Sequence, residues 1–303
     1  MRNGKQNSGY QRLFGGDELT IGLGFPLTDS RESQPPISRE LELASYAESV
    51  GFDGLWARDV PLYWPRFGDA GQTFDTWPWL SHVAAETDHI ALGTASVVLP
   101  LRHPLHVAKS AATVDQLSNG RLVMGIATGD RDPEFPAFDI NATDRGEYFR
   151  EAVSLLRTVW AEEFPTASGY WGELSGELAV VPSPTSGTIP LIPTGHSRQT
   201  VSWIGDHGDG WLFYHLPRST LQTYLRDWRR HGGEKPYVMV VRVDLASDPT
   251  AEPEPIHQGY HAGIEWFREY FAELDTLGVD HVILGVSGNN PRESLEELAA
   301  ALL

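Results

Sequence analysis

The chain has 303 residues and a formal net charge of −18, from 41 acidic against 23 basic residues. A surface this acidic repels phosphate backbones, which sets nucleic acid aside as a partner. No cysteine occurs, which excludes disulfides, thiolate metal sites and a catalytic thiol, while the 41% of hydrophobic residues is enough for a sizeable core.

Residues 1–18 are polar and glycine-rich, and read as a flexible tail rather than a signal peptide. No apolar run approaches the ~20 residues that span a bilayer, so a cytoplasmic protein is expected. From Leu19 onward a short apolar run recurs, followed each time by an amphipathic stretch. Leu19–Phe25 is the first strand. A helix follows, with Ser38 as its N-cap, Leu43, Ala47 and Val50 on its inner face and Gly51 as its stop. Phe52–Trp56 is the second strand, Asp75–Thr87 the second helix and Ile90–Leu99 the third strand. Pro104 opens a helix with Leu105, Ala108 and Ala112 on one face, stopping at Gly120. Leu122–Ala127 is the fourth strand. The long fourth helix carries Phe149, Ala152, Val153, Leu156 and Trp160, with a cap near Thr143 or Asp144.

The second half continues less regularly. Pro190–Thr194 is a strand and Ser197–Gly205 a helix. Gly210–Tyr214 and Pro217–His231 form the sixth pair, Tyr237–Leu245 and Ile264–Leu277 the seventh, and His281–Val286 the last strand. Asn290 and Pro291 open a closing helix. This α/β alternation predicts a single (β/α)8 TIM barrel over residues 19–303. The long connections Val60–Phe74, Gly129–Thr143 and Ala246–Gly263 follow strands, which places them on the catalytic face. Ala246–Gly263 reads as a lid. Phe164–Gly187 reads as a small hairpin insertion on the opposite approach to the sheet.

There is no Gly-x-Gly-x-x-Gly, no Walker loop and no Gly-x-Ser-x-Gly elbow. His103 with His106, and His257 with His261, have metal-ligand spacing, but neither pair has an evident third ligand and no metal is expected. Four stretches carry more information. They are Gly51-Phe52-Asp53-Gly54-Leu55-Trp56 with Arg58-Asp59, the run Thr87–Pro100 continuing to Leu122, Met124-Gly125-Ile126-Ala127-Thr128-Gly129, and Pro193-Thr194-Gly195-His196-Ser197-Arg198-Gln199-Thr200 leading to Gly208-Asp209-Gly210-Trp211.

In order and spacing these stretches resemble the bacterial luciferase-like monooxygenase family, well from Leu19 to Tyr214 and by topology beyond. The resemblance implies a flavin-dependent oxidoreductase binding FMN or, in some branches, a deazaflavin coenzyme. It implies a strained, sometimes cis, peptide under the ring at Ala95 and Ser96, and contact with the ring at Ala127, Thr128 and Gly129. Luciferases proper have an arginine where Thr128 stands and a catalytic histidine where Val60 stands. Arg131 or Arg198 is a candidate source of the missing charge. The relatives also imply reduced FMN supplied by a separate flavin reductase, O2 and a small organic molecule as substrates, and a homodimer. The expected function is therefore an FMN-dependent monooxygenase. The alternatives are a deazaflavin-dependent oxidoreductase and a flavin-binding protein without turnover.

A helix start after strand five offers free amides, and with the family pattern around them the resemblance implies a phosphate site at Gly195, His196, Ser197 and Thr200. Ordinary capping by Ser197 is the competing reading, and Ser287-Gly288-Asn289-Asn290 is a competing phosphate loop. Asp115 and Arg121 are expected to form a buried structural ion pair. Asp53 and Asp209 fall on the stability face. Asp59, His103, Tyr214 and His215 are the candidates for acid–base work.

Overall fold

The structure, a computed structural model, describes residues 6–27, 37–67, 74–287 and 290–303. Its strands in barrel order are Thr20–Phe25, Gly54–Ala57, Ala91–Val98, Leu122–Ala127, Leu191–Pro193, Trp211–Phe213, Tyr237–Leu245 and His281–Ser287. Each pairs in parallel with its neighbours, and the first pairs with the eighth. The fifth and sixth are joined by one parallel bridge, Thr194 with Leu212. The expected β/α barrel is the fold observed.

Period-two alternation sorts the strand residues into two cores. Inward residues Trp56, Ala91, Val123, Ile192, Leu212, Val238 and Ile283 fill the barrel. Outward residues such as Leu23, Leu55, Leu92 and Met124 meet the helices. Trp56 is the largest inward side chain. Its ring lies so close to Gly93 that an added Cβ there would sit 2.2 Å from it, so the third strand must be bare at that point.

The strand starts share one device. Asp53, Asp209 and Asp280 each accept the amide of the preceding strand, from Ile21 at 3.1 Å, Leu191 at 2.8 Å and Tyr237 at 2.7 Å. Arg12, Arg157 and Arg229 pair with these carboxylates. Before the fourth strand the roles differ. The Arg121 guanidinium donates to Ser118 O, Ile90 O, Ala84 O, Thr87 O and the Thr87 hydroxyl. Asp115 binds Thr185 and Asn7 instead. The expected Asp115–Arg121 ion pair is thus replaced by two separate hubs, because five donors on one arginine are satisfied by carbonyls and a hydroxyl.

Several boundaries differ from expectation. Ser8–Phe14, expected within a loose tail, is a helix under the barrel, with Leu13 in the inner core and Tyr10 and Phe14 packed against it. The spacing of these three side chains gives the helix an apolar stripe, and the open barrel end gives that stripe something to cover. Ser38 lies inside the helix Ile37–Ser49, whose first turn is tied down by Glu40 accepting Leu27 N at 2.9 Å. The helix Pro104–Leu117 ends three residues before Gly120. The helix expected from Ser197 starts only at Val201, capped by Thr200. Ser197 and Arg198 have φ of 44° and 54°, left-handed values that an α-helix excludes.

Part of Ala246–Gly263, the segment expected as a lid, is built into the sheet. Glu254–Ile256 and Gly259–Ala262 form a hairpin, and the latter strand adds in parallel to Arg242–Leu245. It takes the edge of strand seven that the three-residue sixth strand leaves open, which satisfies backbone groups otherwise left bare. The other hairpin, Thr166–Gly169 with Gly172–Ser175, forms as expected. Its tip, however, reaches toward the catalytic face: Trp171 O meets His103 Nε2 at 3.1 Å, and Tyr170 meets Glu147 in the first turn of Arg145–Ala161.

Candidate active site

At the carboxyl ends of the strands lies a cavity of about 830 Å³. Its wall includes Ala95, Ser96, Ala127, Thr128, Gly129 and Arg131 from the third and fourth strands and their loops. Gly195, His196, Ser197, Asp59 and Tyr214 also line it. Thr200, His103 and His215 are not among the lining residues. Gly288 and Asn289 of the competing phosphate loop lie outside the described residues.

The peptide between Ala95 and Ser96 is cis. The Ser96 hydroxyl bonds that of Thr194, tying the end of the third strand to that of the fifth. An added Cβ at Gly24 would meet nothing closer than Leu284 O at 3.5 Å, and at Gly285 nothing closer than Arg242 Cα at 3.9 Å. Protein packing therefore does not require glycine there. Their bareness keeps the cavity wall flat, which fits a planar ring lying against backbone. Trp56 closes the cavity below.

Asp59 is held by Arg102 through two hydrogen bonds, at 3.0 Å and 2.6 Å, and also accepts Val98 N at 3.1 Å. Its carboxylate is a structural clamp across the second and third strands rather than a free base. His103 caps the helix Pro104–Leu117, its Nδ1 accepting Leu105 N at 3.2 Å. His215 packs on Tyr260 at 5.1 Å outside the cavity, and burial lowers its pKa. Of the four acid–base candidates, Tyr214 keeps an open position at the rim, 40% exposed. Burial and Asp130 push its phenol pKa up, while Arg58 opposes them.

The expected phosphate turn is rearranged. The Ser197 hydroxyl donates to Thr194 O at 2.8 Å, and Thr200 Oγ1 accepts Trp203 N at 3.1 Å. Trp211 Nε1 donates to Gly195 O at 2.6 Å and pins the turn. Arg198 is exposed, with its Cβ turned toward Gly146. Arg131 is buried beside Glu134 at 3.8 Å and lies over the Phe67 ring at 4.8 Å. Its charge therefore already has a counterpart.

Glu134 is the residue that sequence reasoning missed. It is 2% exposed, lines the cavity and stands at the start of the short helix Glu134–Ala137. Burial raises its carboxyl pKa. Arg131 and a backbone hydrogen bond from Leu62 pull the other way, and Asp59 and Asp130 push with the burial. Asp130, exposed and also on the cavity wall, was missed as well. The signal available was Glu134-Phe135 between two prolines, a polar–apolar pair fixed in one helical turn. Among the described residues no group of three His, Asp or Glu side chains is placed to hold a metal, and no helix is long and apolar enough to cross a membrane.

Residues 21–253 match the model of the luciferase-like monooxygenase family. The chain belongs to that family. It is 31% identical over 169 residues to an F420-dependent glucose-6-phosphate dehydrogenase of Beutenbergia cavernae, over 55% of this chain and 49% of that one. The match thus spans about half the length of such curated relatives. Among solved structures it superimposes on a monooxygenase of Streptomyces bottropensis with a TM-score of 0.80 at 19% identity, over 94% of this chain and 98% of that one. An F420-dependent secondary alcohol dehydrogenase carrying an F420–acetone adduct gives 0.78 at 20% identity, with the same coverage. At these identities the structural likeness speaks for the fold. Luciferase-like family members are oxidoreductases.

Proposed function

We propose that this luciferase-like protein is a deazaflavin-dependent oxidoreductase, binding coenzyme F420 in the 830 Å³ cavity and exchanging a hydride with a small organic substrate. The observation that carries this reading is the buried Glu134 carboxyl on the cavity wall, with its pKa raised. A hydride moved to or from a carbon–oxygen bond must be matched by a proton, and a carboxyl kept protonated beyond its ordinary range can hold one. The F420-dependent dehydrogenase names among the relatives near 31% identity support it further.

When bound, the deazaflavin would supply the hydride-carrying carbon. Gly24, Ala95, Ser96 and Gly285 would present flat backbone to its ring. The amides of His196, Ser197 and Arg198 would hold its phosphate. Ser197 and Thr200 hydroxyls contribute less than their sequence positions imply, since both already serve the turn. Trp56 shuts the cavity floor and keeps bulk water from entering below. Glu134 holds the proton, and Arg131 beside it limits how far its pKa rises.

The FMN monooxygenase reading shares the barrel and the cavity. Its oxygen chemistry asks little acid–base work of the protein, leaving Glu134 without a task. Parallel titration of the protein with F420 and with FMN decides. F420 is expected to bind at micromolar levels and FMN at least about tenfold more weakly. Preference for FMN would overturn the proposal. Binding of either with no product from any alcohol, carbonyl or sulfonate would point to a flavin store.

A further inference from the structure

We infer that the cavity carries a second anion site, centred on Arg242 in the carboxyl-terminal half of the seventh strand, and that the substrate is a small organic oxyanion. This rests on the proposed coenzyme-and-substrate reading of the cavity and names the substrate class for it.

Val238, Val240 and Arg242 are alternate residues of one strand. Val238 belongs to the inner core, while Val240 and Arg242 line the cavity. Arg242 therefore sits where the column of apolar side chains gives way to the open mouth. Its Nε donates to the Ser287 hydroxyl at 3.1 Å, at the end of strand eight. In a chain of net charge −18, an arginine facing a cavity is expected to have an acidic neighbour. Arg102 has Asp59 and Arg131 has Glu134. Among the described residues no carboxylate forms an ion pair with Arg242. Asp244, two residues on, is taken by His261 at 2.9 Å.

The surroundings of Arg242 are built. Gly285 and Gly259 are its register partners on either side. A Cβ at Gly259 would lie 1.8 Å from Arg242 O, so only glycine lets the hairpin pack there. Arg242 N donates to Gln258 O at 2.8 Å. The hairpin turn is thereby fixed against this one residue, and His257 and Gln258 reach the cavity wall beside it. A guanidinium presents a planar fork of donors that suits carboxylate, phosphate or sulfonate oxygens. Ser287, His257 and Gln258 stand beside it with further hydrogen-bonding groups. This wall is formed by strands seven and eight and the hairpin, apart from the turn after strand five proposed for the coenzyme phosphate.

The test uses coenzyme-loaded protein titrated calorimetrically with inorganic phosphate, sulfate and acetate in separate runs. The wild type is expected to bind at least one of the three. Arg242→Gln should weaken that binding about tenfold or more and Ser287→Ala by less, while Arg242→Lys retains part of it. Coenzyme affinity should stay within about twofold in all three variants. The anion that binds best identifies the substrate's charged group. Unchanged anion affinity in Arg242→Gln, no binding of any of the three to wild type, or displacement of coenzyme by the anion would each overturn the inference. If neither F420 nor FMN binds, the same titrations on free protein still judge Arg242, so the two readings fail separately.

Discussion

The indole N–H of Trp56 donates to Nε2 of His281 at 2.9 Å inside the barrel. An indole nitrogen can only donate, so Nε2 is bare and the imidazole proton sits on Nδ1, 2.7 Å from Thr20 Oγ1. Burial lowers the His281 pKa from 6.5 to about 3. The ring is thus neutral when folded and free to take a proton when unfolded. Over the window from pH 6.5 down to about 3 the unfolded chain binds the extra proton, so stability falls with pH, by at most about 1.4 kcal/mol per unit. Urea denaturation at several pH values should show this slope, and His281→Gln should flatten it. An equal slope in the variant would assign it to other groups.

Glu134→Gln keeps the shape and removes the proton. Turnover should fall by roughly 10²–10⁴ while coenzyme affinity holds. In the wild type the direction that needs an acid should persist above the ordinary carboxylate range, and be lost as pH rises through the raised pKa of Glu134. Steady-state rates across pH check both points. A variant with the wild-type profile would remove Glu134 from the chemistry.

Asp59→Asn tests the opposite assignment. Arg102 would lose its bidentate partner, and stability should drop by about 3 kcal/mol, measured by chemical denaturation. The midpoint set by Glu134 should move down in the residual activity, because the Asp59 charge is one of the influences that raise the Glu134 pKa. Loss of turnover by a factor of about 10² or more in the folded variant would restore Asp59 as a base.

Gly24→Val separates packing from ligand space. Nothing in the protein lies within 3.4 Å of the added Cβ, so the melting temperature should change little. Coenzyme affinity should fall about tenfold or more, because the side chain would stand where the flat wall now is. Unchanged affinity would move the ring elsewhere in the cavity.

The barrel was legible because each strand–helix unit carries its own signal. Leu122–Ala127, Tyr237–Leu245 and Ile264–Leu277 lie where their apolar periodicity predicts. Signals that depend on distant partners were not. Tyr10, Leu13 and Phe14 form an apolar stripe only in relation to the barrel end they cover. Left-handed Ser197 and Arg198 look like a helix start in sequence, since Ser197 and Thr200 are both good caps and only Thr200 is used. Asp59 and His103 have the chemistry of catalytic groups, but Arg102 and the Leu105 amide engage them. Glu134 shows the reverse case: Arg131 and Asp130 stand beside it in sequence, but its burial and the approach of Asp59 come only with the fold.

The hairpin stitched onto strand seven forms an eave over one side of the entrance. An anion entering along that side would pass the Arg242 guanidinium on the cavity wall, so its arrival should slow as ionic strength rises.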